Sequence, residues 1–127
     1  MILLLIVTLV TLVSSCTPIW YPAPLDIKNA GISAGLTEEQ IQKAIILSGL
    51  NRGWIFRVLK EGALEGQINS RGLEAVVLVE YNTNQYSIQY LSSENLKFRD
   101  GRIHNRYNKW IRNLKKDIDI GLIRARY

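Results

Sequence analysis

The chain has 127 residues, 47% of them apolar and 21% charged, and its 16 Lys and Arg outnumber 11 Asp and Glu for a formal charge of +5. That profile excludes a disordered or fibrous chain. With one Cys and one His, it also excludes an internal disulfide framework, a zinc site of several thiolates and a metal-binding HExxH helix.

Residues 2–13 (ILLLIVTLVTLV) form an almost unbroken aliphatic run. Twelve residues fall short of the roughly 20 that cross about 30 Å of hydrocarbon, and Pro18 blocks a helical extension toward Trp20. The length suits the apolar core of an export signal, about 7–15 residues. The run ends in Val13-Ser14-Ser15-Cys16, which resembles the lipobox of bacterial lipoproteins: an aliphatic residue, two small residues, then Cys. No Lys or Arg precedes the run, a departure from the usual signal peptide. The resemblance implies that residues 1–15 are removed and that Cys16 becomes the acylated first residue of the mature chain. Thr17 stands where an Asp would be the inner-membrane retention signal. By the same resemblance, the expected place is the outer membrane, with the domain facing the periplasm.

Residues 17–36 hold all three prolines, Pro18, Pro22 and Pro24, together with Gly31 and Gly35. With Cys16 they read as a lipidated tether over 16–36. A helix is predicted from Thr37, where Thr37 and Gln40 have capping-box spacing, Glu38 and Glu39 suit the positive end of the helix dipole, and Gly49 reads as a stop. Four strands are expected next: Gly53 to Leu59, Ala63 to Ser70, Leu73 to Tyr81 and Gln85 to Ser92. The short turns between them require antiparallel neighbours. Ala75 to Val79 is apolar on both faces, which marks that strand as the most covered. Ile103, Tyr107, Trp110, Ile111, Leu114 and Ile118 then make an amphipathic stripe on a second helix over 102–120, ended by Gly121. The fold class expected is therefore α+β: a helix, a four-stranded antiparallel meander and a C-terminal amphipathic helix packed on the sheet, one domain over 37–122 with a basic tail at 123–127.

Arg52-Gly53-Trp54, Tyr86-Ser87-Ile88-Gln89-Tyr90, Asn95-Leu96, Ile103-His104, Tyr107-Asn108 and Trp110 resemble the pattern of small proteobacterial lipoproteins of uncharacterised function. The resemblance spans about residues 37–120 plus the lipobox and implies an envelope lipoprotein. It carries no activity with it.

Residues 17–96 carry six basic and eight acidic side chains, whereas residues 97–127 carry ten basic and three acidic ones. Arg106, Lys109, Arg112, Lys115 and Lys116 lie largely off the apolar stripe. This basic face either binds an anionic envelope component or is a solvated helix surface whose alkyl stems cover the core edge. A second candidate is the polar group Tyr86, Tyr90, Asn95, His104, Asn105 and Asn108, which would converge where the last strand meets the second helix and hold a small polar or anionic ligand. The alternative is that these side chains cap turns and satisfy backbone groups.

Catalysis finds no constellation: Cys16 is assigned to lipidation, and the acidic pairs Glu61/Glu65 and Asp117/Asp119 read as solubilising charge. A hydrolase would need His104 beside a carboxylate in an apolar pocket. No cofactor and no metal is expected. The partners expected are the bilayer through Cys16 and an envelope protein or anionic envelope component. The rival reading is a basic nucleic-acid-binding domain with a misread start, for which Tyr107 and Trp110, at core spacing, are poor base-stacking candidates.

Overall fold

The computed structural model describes residues 20–127. The apolar leader, the lipobox and Cys16 lie outside the described residues. Seven elements follow in chain order: β1 (Ile27–Gly31), α1 (Glu38–Leu50), β2 (Trp54–Lys60), β3 (Ala63–Ser70), β4 (Leu73–Tyr81), β5 (Gln85–Glu94) and α2 (Asn105–Arg124). The strands form one antiparallel sheet in the order β1-β5-β4-β3-β2.

The class is α+β as expected, but the sheet has five strands, not four. The additional strand comes from the segment read as a tether. Ile27 pairs with Ile88 and Ala30 with Tyr86, the Ile32 amide donates to the Asn84 carbonyl at 2.8 Å, and Ile32 and Leu36 join the core. Upstream, the Ile103 amide donates to the Pro22 carbonyl at 2.8 Å. The domain therefore begins at least fifteen residues before Thr37.

Helix α1 starts where its residues dictate. Thr37 Oγ1 accepts from the Gln40 amide at 3.1 Å, and Gln40 Oε1 accepts from the Thr37 amide at 2.9 Å, a reciprocal capping box. Its end differs from expectation. Gly49 is inside the helix, and Asn51 is the C-cap. A Cβ at Gly49 would strike the Phe56 ring and come within 2.8 Å of Trp54 Cβ, so this glycine serves close packing. The same holds in α2, where Gly121 is not a terminator: the helix continues to Arg124, and a Cβ at 121 would collide with Ser48 Oγ across the α1–α2 crossing.

The hairpins follow the predicted turns. Ser70 pairs with Leu73 across Arg71-Gly72, both with positive φ, +55° and +81°. Both helices cover one sheet face, because buried positions alternate along the strands. Leu64 and Ile68 on β3, Ala75, Val77 and Val79 on β4, and Ile88 on β5 are buried, and they pack with Ile41 and Ile45 of α1 and Ile111, Leu114 and Ile118 of α2. The apolar run on β4 is thus covered on one face only. Val76 and Leu78 on the other face are half-buried among neighbouring strands. Strand β2 sits at the edge, and its inward row outruns the helical layer: Trp54 is buried, Phe56 half-buried, and Val58 50% exposed.

Candidate functional site

The six polar residues expected to converge do not form one site: Tyr86 and Tyr90 meet opposite halves of α2, Asn95, His104 and Asn108 are committed to backbone groups, and Asn105 is exposed. Tyr86 lies under the C-terminal half of α2, its hydroxyl donating to Asp119 Oδ1 at 2.5 Å. Tyr90 packs edge-on against Tyr107, with ring centroids 5.3 Å apart. Since Tyr107 and Asp119 are twelve residues apart on one helix, the two partners are about 18 Å apart along its axis. Asn95 has positive φ, +61°, and its amide donates to the Gly72 carbonyl at 2.7 Å. His104 is the N-cap of α2, with Nδ1 accepting from the Arg106 amide at 3.1 Å. Asn105 is exposed at the first helical position. Asn108 is buried and spans the incoming segment, donating to the Ala23 carbonyl at 3.1 Å and accepting from the Leu25 amide at 2.7 Å. No hydrogen bond or ion pair joins His104 to a carboxylate among the described residues.

Of the two acidic pairs, Glu61 is exposed and the other three carboxylates are engaged. Glu65 meets Arg57 at 3.2 Å, Asp117 meets Arg52 at 2.6 Å, and Asp119 meets Lys115 at 2.7 Å besides Tyr86. Burial first, and then the hydrogen bond and charge of Asp119, push the Tyr86 phenol far above its usual range. Burial first, with the charge of Asp26 second, does the same for Tyr107. The Tyr107 hydroxyl has no hydrogen-bond partner among the described residues. Being fully buried, Tyr107 offers no face to a nucleobase. Among the described residues no group of three or more His, Cys, Asp or Glu is placed to hold a metal ion.

The basic face of α2 resolves into two parts. Arg112 and Lys116 are exposed, and Lys115 is held by Asp119. Arg106 and Lys109, also exposed, line a cleft of about 380 Å³ between the N-terminal half of α2 and the ends of β2 and β3. Two further cations complete it: Arg52, from the turn after α1, and Arg71, from the β3–β4 hairpin. Trp54, Trp110, Ser70 and Asn113 contribute the aromatic and neutral polar lining, and no carboxylate does. Arg52 and Arg71 escaped sequence reasoning because each stands alone in a turn. The one available signal was the unusual Arg-Gly pair in a two-residue hairpin loop, where Asn-Gly is the common choice. A larger groove of about 800 Å³ runs between α1 and the C-terminal half of α2, past Leu47, Asp117 and Ile120.

No family model, no curated protein and no solved structure matches the chain.

Proposed function

We propose that this chain is a lipid-anchored lipoprotein of the bacterial cell envelope, attached through Cys16, whose α+β domain binds an anionic envelope component. The observation that carries the reading is the aliphatic run at 2–13 closed by Val13-Ser14-Ser15 and the solitary Cys16. With Thr17 after the Cys, the outer membrane is the destination this resemblance favours, the domain facing the periplasm.

Acylation of Cys16 would supply the attachment: one chain holds a protein only marginally, but two or more make release slow. One feature of the fold supports an anionic partner at the same place: the first described residues lie beside the positive charge that precedes α2. Trp20 lies under the Arg102 guanidinium, 4.6 Å from ring centroid to Cζ, and Pro22 is bonded to Ile103 just before α2. Trp20 is four positions after Cys16, at most about 14 Å of chain. An acylated Cys16 would therefore hold Arg102 and the neighbouring Arg99 and Arg106 near anionic head groups, each worth about 1 kcal/mol at such a surface.

Metabolic labelling with palmitate tests the anchor. The wild type should incorporate label and resist extraction by buffer, and Cys16→Ser should do neither. An unlabelled product that retains Met1 and leaves the membrane in buffer alone would overturn the reading.

A further inference from the structure

We infer that the cleft between α2 and the ends of β2 and β3 is a binding site for a phosphate ester. The inference names a ligand class for the binding module proposed above and does not depend on the anchor.

The four cations around the cleft, Arg52, Arg71, Arg106 and Lys109, come from three elements far apart in sequence. Their meeting is therefore a product of the tertiary fold and not of one basic helix face. Arg52 is engaged by Asp117, whereas Arg71, Arg106 and Lys109 have no carboxylate partner among the described residues. Three like charges held around one concavity repel one another until an anion enters. Arg71 also occupies left-handed backbone, φ +55°, which Asn or Gly adopts at lower cost. The fold thus tolerates strain at the position that brings this guanidinium to the rim.

The remaining lining suits an oxyanion carried on a small organic body. Trp54 belongs to the lining but is fully buried, so it contributes packing and not a donor. Ser70 and Asn113 add neutral donors, and half-buried Trp110 offers an apolar wall. Guanidinium forks match the paired oxygens of a phosphate. A phosphomonoester carries a charge of about −1.5 to −2, closer to three free cations than the single charge of a carboxylate. The volume lies in the lower part of the range for small-ligand sites. The phosphate ester can belong to a lipid head group or to a soluble compound.

Calorimetric titration of the full-length chain with glycerol 3-phosphate tests the inference, in detergent and after reconstitution into phosphatidylcholine vesicles with or without phosphatidic acid. The wild type should bind, with affinity about tenfold weaker in Lys109→Gln and in Arg71→Asn and unchanged in Lys116→Gln, which lies outside the cleft. Arg71→Asn should also melt at a higher temperature, so its weaker binding cannot be ascribed to unfolding. If phosphatidic acid in the vesicle suppresses binding of the soluble ester, the natural source is a lipid head group. If it does not, the source is soluble. Absence of binding in every format, or equal losses in Lys116→Gln and Lys109→Gln, would overturn the site. Failure of palmitate labelling would leave the titrations in detergent unchanged, so the two proposals fail separately.

Discussion

An asparagine carboxamide offers a donor and an acceptor side by side, and at position 108 both are used by backbone more than eighty residues away, at Ala23 and Leu25. Asn108→Leu keeps the branched shape but leaves the part-buried Leu25 amide and the Ala23 carbonyl without this partner. It should lower stability by about 1–2 kcal/mol in urea denaturation. A ligand-binding role for Asn108 would instead leave the midpoint unchanged. Tyr107 poses the opposite case, since its buried hydroxyl has no partner among the described residues. Tyr107→Phe removes that desolvated group, so it should be neutral or stabilising by about 1 kcal/mol. Both Tyr86 and Tyr107 have phenols raised in the folded state. The unfolded phenols ionise first, so the stability they contribute is intact below about pH 10 and is lost as the pH rises beyond it. Urea midpoints measured from about pH 8 to pH 11 should fall at the alkaline end, and less steeply in Tyr107→Phe.

At the scale of the elements, edge strand β2 is joined to the rest of the sheet by an aromatic ring laid over glycine. Phe56 pairs with Gly66, and a Cβ at 66 would sit 2.6 Å from Phe56 Cε1 and 3.1 Å from Val77 Cγ2. Gly66→Ala should therefore destabilise by about 1–3 kcal/mol, and in a Phe56→Ala background most of that cost should vanish. Additive losses in the double-mutant cycle would show that the ring and the glycine are independent. Sequence reasoning identifies features that depend on neighbours in the chain. The Thr37–Gln40 capping box, the Arg71-Gly72 turn and the stripe of α2 are all local patterns. It misreads Gly49 and Gly121 as stops, because the atoms that require their missing Cβ belong to other elements. Strand β1 escapes for a related reason. Ile27-Lys28-Asn29-Ala30-Gly31 lacks alternation, Asn29 has φ +54° where the pairing with β5 shifts register, and three prolines precede it. Its strand character comes from the free edge of β5.

For the whole molecule the same rule separates the legible half of the candidate site from the rest. Arg106 and Lys109 are visible as one face of a helix, whereas Arg52 and Arg71 reach the cleft only through the packing of α2 on the sheet. The six polar residues near the strand–helix junction are close in sequence, but the fold commits Asn95, His104 and Asn108 to backbone, where they fasten the entering chain and the connector before α2. That fastening has a consequence for how the molecule unfolds. If the chain from Trp20 to Gly31 were only a spacer, removing it would leave the melting transition unchanged. Instead it supplies an edge strand, the partners of Asn108, the acceptor for the Ile103 amide, and the half-buried Leu25, Ile27 and Ala30 packed on the core. A chain beginning at Ile32 should therefore be at least about 3 kcal/mol less stable than one beginning at Trp20. It should also expose the buried Tyr86 and Ile88 along the bared edge of β5. Thermal and urea unfolding of the two truncated chains compares them directly. Equal stabilities, within about 0.5 kcal/mol, would return residues 20–31 to the role of a tether.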